Sequence, residues 1–395
     1  VLARVADIDT TTDRGITLPE GVLTNNAQAV VTDPAIDIIV EMIGGVGIAK
    51  KLIFEAISFG KHVVTANKAL LATYGNEIFR AADKKNVDLA FEASTGGCMP
   101  VIKTIRESLA GNQVHAMVGI LNGTCNYILS KISDDGSTFS DALAAAQRNG
   151  YAESDPSLDV NGHDTAHKLA ILSSLAYGMT LNLADIYVEG ISNITPQDIE
   201  FAATFGYRIK LLAISKFQGD RVEARVHPTM IPFDNLLSNV NGRVNALMIS
   251  ADAVDEVMLY GYGAGMMPTG SAVVSDCIDI ARNLLCGATC RVPHFSYRMP
   301  EVQPVPIRPM DDIETLYYFR FLALDQPGVL SKIAGVLGEY AISIRSVQQQ
   351  GRKTNGAVPV VMLTHRAREA DVRRALETIE TLEVMAQRPV VIRIE

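Results

Sequence analysis

Over residues 1–96, short apolar runs of strand character alternate with runs of helical period. "LARVADID", "DIIVEMIGG", "HVVTAN" and "DLAFEAS" read as strands, and "AKKLIFEAISFG" and "ATYGNEIFRAADKKN" as helices. This alternation admits few folds. Each helix crosses back so that the next strand lies parallel to the last, which gives a doubly wound, Rossmann-like α/β sheet. Ligands of such sheets bind beyond the carboxyl ends of the strands. Those ends here are "ADID", "IGG", "TANK" and "EASTGG". The sequence opens on a strand at Val1 and contains no G-x-G-x-x-G. The N-terminal strand and glycine-rich phosphate turn of such a fold are therefore expected to be missing from it.

A length of 395 residues implies two or three domains. With 48% hydrophobic and 20% charged residues, the chain fits a soluble globular protein. A net charge of -9 and the lack of a long basic run argue against nucleic acid as partner. Five cysteines, with no C-x-x-C, predict a reduced, cytoplasmic protein. Polar residues break every apolar stretch well before the length of a membrane span, and no secretory signal is visible.

The spacing predicts a nucleotide-binding domain over 1–96, with 268–290 returning to it. An α+β catalytic and dimerisation domain is expected over 97–267. "VHAMVGILNGTCNYIL" and "RVEARVHPTMI" alternate in part like strands, whereas "SDALAAAQRNG" and "HKLAILSSLAYG" look helical and end in glycine. "YGYGAGMMPTGSAVVSDCIDIARNLL" is a glycine-rich turn feeding a helix, a start that can offer N–H groups to a phosphate. Proline crowds the segment 291–315, which reads as an interdomain linker. Residues 316–395 carry a βαββαβ pattern expected to fold as a separate module, with Leu330, Ile333, Ala334 and Leu337 facing its sheet.

The chemistry concentrates in "GYAESDPSLDVNGHDTAHKLAIL", Gly150 to Leu172. Glu153, Asp155, Asp159 and Asp164 surround Lys168. In a helix Asp164 and Lys168 stand four apart on one face, which by itself describes a surface ion pair. The apolar residues that follow leave little room for solvent, and a partly buried lysine among carboxylates is held in place with a shifted pKa. His163 and His167 also form H-x-x-x-H, a zinc pattern without an evident third ligand. In "VVTANKALLA", Lys68 sits just past a strand end, where positive charge at a helix start suits an anionic or electron-rich ligand. "FEASTGGCMP" combines Glu92 with exposed carbonyls, a donor set for a hard cation, or is simply a tight turn. Asp7 and Asp9 favour the ribose hydroxyls of NAD; Arg14 and the threonines Thr10 to Thr12 could hold the 2′-phosphate of NADP.

Taken together, "VTANKALLA", "FEASTGG", "GILNGTCNYIL", the Gly150–Leu172 block and "PTGSAVVSD" resemble the homoserine dehydrogenase family, in its order. The resemblance spans roughly residues 1–310. The tail, with "DQPGVLSKIAGVL", looks like an ACT domain, and the resemblance is to the monofunctional enzyme rather than to the aspartokinase fusion. The resemblance implies reversible oxidation of L-homoserine to L-aspartate 4-semialdehyde with NAD or NADP, on the route to threonine and methionine. It implies Lys168 and Lys68 as active-site lysines, Glu153 on the substrate ammonium, and Asp159 and Asp164 around substrate and lysine. Gly150 and Gly265, with Lys68, fall where the family approaches the cofactor. Glu92, Thr95, Gly97 and Met99 match its sodium site. The same resemblance implies a homodimer or homotetramer and an L-threonine effector at the ACT domain.

The residues themselves give the chemistry a direction. Oxidising an alcohol requires a base for the hydroxyl proton as hydride leaves carbon, and a lysine serves once burial and a second ammonium oppose its charge. A substrate ammonium calls for a carboxylate such as Glu153. Two other classes stay open from the residues alone: a non-catalytic amino-acid-binding regulatory protein and a zinc hydrolase using His163 and His167.

Overall fold

The computed structural model describes residues 1–349 and 356–395. The N-terminal unit begins with β1 (Val5–Ala6), β2 (Leu23–Thr24) and α1 (Ala27–Thr32). It continues through β3 (Ile38–Glu41), α2 (Ile48–Ser58), β4 (His62–Thr65), α3 (Lys68–Lys85) and β5 (Leu89–Ala90). All the pairings are parallel, as the rhythm predicts: β1 with β2, and β3–β4–β5 as one sheet. The two sheets are separate, and the expected strand "LARVADID" is reduced to two residues. Ile53, Ile57, Leu70, Ile78 and Phe79 bury the helices against this sheet.

The middle of the chain holds α4 (Val101–Lys103), β6 (Val114–Ile120), α5 (Gly123–Asp135), α6 (Phe139–Arg148), α7 (Ser157–Val160), α8 (His163–Tyr177), β7 (Tyr187–Val188) and α9 (Pro196–Thr204). Four long strands follow: β8 (Tyr207–Gln218), β9 (Arg221–Pro232), β10 (Val244–Ala251) and β11 (Asp255–Tyr262). The run 114–129, expected to be partly strand, divides sharply. The strand ends at Ile120, and Asn122 caps α5 by accepting from the Cys125 N–H. Local capping outweighs the alternation there. Helices α5, α8 and α9 cover one face of the sheet. Next, α10 (Met266–Leu285) crosses back, and its Val273 and Ile280 pack on Val64 of β4.

The proline-rich segment is not a free tether. His294, Phe295 and Val302 are buried, and Ile307 bridges to Val222 of β9. The tail then forms β12 (Glu314–Leu324), α11 (Val329–Glu339), β13 (Ile344–Gln349), β14 (Ala357–Thr364), β15 (Ala367–Arg368), α12 (Glu369–Glu380) and β16 (Val390–Ile394). Gln350, expected to close β13, lies outside the described residues. The module has its own core, which includes Tyr317, Phe319, Ile333 and Ile379, and it also joins the neighbouring sheet. Its β16 pairs in parallel with β9, Arg393 opposite Thr229, so catalytic and tail strands make one sheet in the order β11-β10-β6-β8-β9-β16-β12-β14-β13. Two expected core residues are also misplaced, Leu330 and the half-buried Ala334. Leu330 is exposed, and Val329 and Val336 join Ile333 and Leu337 in the core, because α11 presents the 329–333–336 stripe.

Candidate active site

Strand β6 ends at the Leu121–Asn122 corner, and α8 lies against it. Gly162, at a φ of 86°, opens α8 and turns Asp164 and Lys168 towards that corner. Both side chains are buried. Lys168 Nζ donates to Asp164 Oδ2 at 2.8 Å and to the Leu121 carbonyl at 2.6 Å. Lys68, the first residue of α3, brings its Nζ within 3.1 Å of Asp164 Oδ1. One carboxylate thus stands between two ammonium groups contributed by different units of the chain.

Asn122 completes the cluster. Its Nδ2 donates to Asp159 Oδ1 at 2.7 Å and to Asp164 Oδ2 at 2.9 Å, while its Oδ1 caps α5. The sequence reading missed this residue; an asparagine between a strand and a helix start was the available signal. Burial alone would raise the Asp164 carboxyl, but Lys168 and Lys68 beside it hold it well below the usual range. Asp159 goes the other way: burial and the Asp164 charge raise it. Burial works against charge on Lys68 too, yet Asp164, Asp159 and Glu153 outweigh it and keep that ammonium above its ordinary value.

Glu153 is exposed on the loop between α6 and α7. Thr124 Oγ1 anchors that loop on the Tyr151 carbonyl at 2.6 Å. Gly150 follows α6 at a φ of 70°. Gly265 caps α10 at a φ of 124°, Gly47 opens α2 at a φ of -77°, and neither start has a side-chain cap. Both helices therefore keep free N–H donors at their starts. After β1, Arg14 pairs with Asp7 at 3.0 Å and lies 3.8 Å from Asp9, so the acidic and basic features of that loop form one cluster.

The 92–99 turn is arranged differently from the expectation of a carboxylate aimed at a cation. Glu92 is buried, and its two oxygens accept from the N–H groups of Ile102 at 2.7 Å and Lys103 at 3.0 Å. Thr95 Oγ1 is buried without a partner, and the Met99 carbonyl already accepts from Val101 N at 2.7 Å. Among the described residues no group of three His, Cys, Asp or Glu side chains could hold a metal ion, and the H-x-x-x-H pair gains no third ligand. No helix of the described residues is long and apolar enough to cross a membrane.

Three family models match: homoserine dehydrogenase over residues 100–278, the homoserine dehydrogenase NAD-binding domain over 1–92, and the ACT domain over 317–384. A homoserine dehydrogenase of Pseudomonas aeruginosa is 47% identical, across 93% of this chain and 85% of the relative. One of Neisseria gonorrhoeae is 46% identical, across 91% and 83%. A crystal structure of a homoserine dehydrogenase from Thiobacillus denitrificans superposes with a TM-score of 0.90 at 45% identity, across 95% of this chain and 86% of that one. A hyperthermophilic archaeal homoserine dehydrogenase solved with NADPH gives 0.56 at 28% identity, across 65% and 75%. The parallel nucleotide unit and the paired-lysine site define a nicotinamide-dependent oxidoreductase with an ACT module. The chain belongs to the homoserine dehydrogenase family. An intact lysine–carboxylate cluster in that family also disfavours a purely regulatory protein.

Proposed function

We propose that Lys168 is the acid–base group in the reversible interconversion of L-homoserine and L-aspartate 4-semialdehyde. The observation that carries this is the two-point anchorage of its ammonium on Asp164 and the Leu121 carbonyl. An ammonium has three donors, so one remains for the substrate oxygen. In the reductive direction Lys168 gives its proton to the forming alkoxide; in the oxidative direction it takes the hydroxyl proton. Asp164 keeps both lysines in register without competing for the proton, because it stays ionised. Glu153 binds the substrate ammonium, and Asp159 lines the same pocket. NAD or NADP supplies or removes the hydride. The uncapped starts of α2 and α10, with Gly150, Gly265 and Lys68, fit it, since these donors and this cation suit phosphate and carboxamide groups.

Lys168→Ala is expected to lower kcat by about 10²–10⁴-fold with the circular dichroism unchanged. Retention of more than about a tenth of wild-type turnover would remove Lys168 from the role. Glu153→Gln should raise KM for homoserine far more than KM for the nucleotide.

The 92–99 turn is proposed as a monovalent cation site, sodium in the first instance. With the Glu92 carboxylate occupied by two amides, the ion would rest on backbone carbonyls of Glu92, Thr95, Gly97 and Met99. At the tail, Gly328 opens α11 at a φ of 88° with no side-chain cap. That start supports capture of an amino-acid carboxylate, L-threonine in the first instance, tested by calorimetric titration of the full chain. Exposed Tyr260 and Tyr262 on β11 support a homodimer or homotetramer, measured by sedimentation.

A further inference from the structure

Where the tail's β16 meets β9, Arg393 is almost fully buried and reaches into both halves of the chain. On the tail side its Nε donates to Glu369 Oε2 at 2.9 Å, and its Nη2 meets Glu369 Oε1. On the catalytic side its Nη1 donates to Glu189 Oε2 at 2.7 Å, and Nη2 donates to the Tyr187 hydroxyl at 3.2 Å. The Tyr187 hydroxyl donates to the same Glu189 oxygen at 3.0 Å. Buried, fully paired charges of this kind fix geometry strongly, and breaking one side leaves an uncompensated ion.

What Glu189 adjoins gives the contact its meaning. The next residue, Gly190, is pressed so closely on the 159–162 turn that a Cβ there would lie 2.3 Å from the Val160 carbonyl oxygen. Ile191 N donates to that same carbonyl at 2.9 Å. On its other side the turn is held by Cys125 Sγ, 3.2 Å from the Asp159 carbonyl, and by the Gly162 N–H on the Asp159 carbonyl at 2.9 Å. This turn carries Asp159 and launches α8, which carries Asp164 and Lys168.

We propose that Arg393 is a positioning residue for the substrate turn. It holds residues 187–191 where Gly190 and Ile191 support residues 159–162, so the docking of the tail sets the affinity of the site for its amino-alcohol substrate. This rests on the assignment of Asp159, Asp164 and Lys168 to the active site. It differs from a simple clamp, and the chain contains a simple clamp for comparison. Arg320 of β12 grips Asp198 of α9 at 2.6 and 3.0 Å, on the segment that follows residues 187–191 rather than on those residues.

The test uses the full chain. Glu189→Gln removes the charge on the catalytic side and leaves the Tyr187 hydroxyl contact and the Arg393–Glu369 pair in place. It is expected to raise KM for homoserine by about 3- to 30-fold, the range over which such networks modulate coupling. KM for the nucleotide should move less than about 2-fold, as befits a change local to the substrate turn. Arg393→Lys, which keeps the charge, should recover part of the loss that Arg393→Met causes. Arg320→Lys should lower Tm comparably yet leave the homoserine KM within about 2-fold. If Glu189→Gln loses stability with homoserine kinetics unchanged, or shifts both KM values equally, Arg393 is a structural tie and the proposal is overturned. Lys168→Ala assayed alongside separates the two failures. With turnover abolished there and Glu189→Gln unaffected, only the coupling falls. With turnover retained there, the site assignment falls and the coupling with it.

Discussion

Asp164 is the residue on which the site turns, because its two oxygens serve two lysines and an asparagine at once. A second pair of buried acids has a different, measurable consequence. Burial pushes Glu92 from 4.5 up to about 7, against the two amides that favour its charge, and pushes the neighbouring Asp276 from 3.8 up to about 6. The folded chain therefore holds protons that the unfolded chain has already lost. Stability from these protons is fully present below the unfolded values and is lost as pH rises through about 6 and 7. Scanning calorimetry should show Tm falling across that window. Asp276→Asn, which keeps an acceptor for the Glu92 N–H at 2.9 Å, should flatten the fall. If sodium rests on the carbonyls of the 92–99 turn, its charge beside the Glu92 carboxyl favours the ionised form. Sodium should then raise Tm more at about pH 8 than at about pH 5, and tetramethylammonium should not.

At the level of elements, the corner between β6 and α5 does two jobs through Asn122, and substitution can part them. Asn122→Ala removes the cap, worth about 0.5–2 kcal/mol, and also the bridge between Asp159 and Asp164. Asn122→Ser restores a competent cap but cannot span both carboxylates. Stability should return in the serine variant while homoserine turnover stays low, as thermal denaturation and initial rates would show. This corner also marks the limit of what the sequence discloses. The strand–helix rhythm of the nucleotide unit, the βαββαβ tail and the Gly150–Leu172 block were legible because each is a local pattern. The carboxylate bridge of Asn122, the Leu121 carbonyl and Arg393 were not, because those roles exist only where distant segments meet. The alternation in "VHAMVGILNGTCNYIL" misled for a related reason. Its second half is amphipathic on a short scale, and only the Asn122 cap decides for the helix.

Across the whole molecule, one sheet runs from the catalytic strands into the tail, tied by Arg393 on one side and by the Arg320–Asp198 pair on the other. The seam has a consequence for how the chain reaches this state. The parallel pairing of Thr229 with Arg393 and Met230 with Ile394 joins positions separated by the whole tail. Contacts so distant in sequence incur a large loop-closure entropy before they are rewarded, and they form late. The nucleotide unit and α5–α8 are built from far more local contacts and can form early as units. During refolding from urea, pulse-labelled hydrogen exchange should show amides of β6 and α8 protected before those of residues 390–394. Homoserine turnover should return with the later event, since the 159–162 turn gains its last support only when Arg393 arrives. Enzyme that has regained its helices but not this seam would be compact, soluble and nearly blind to its substrate.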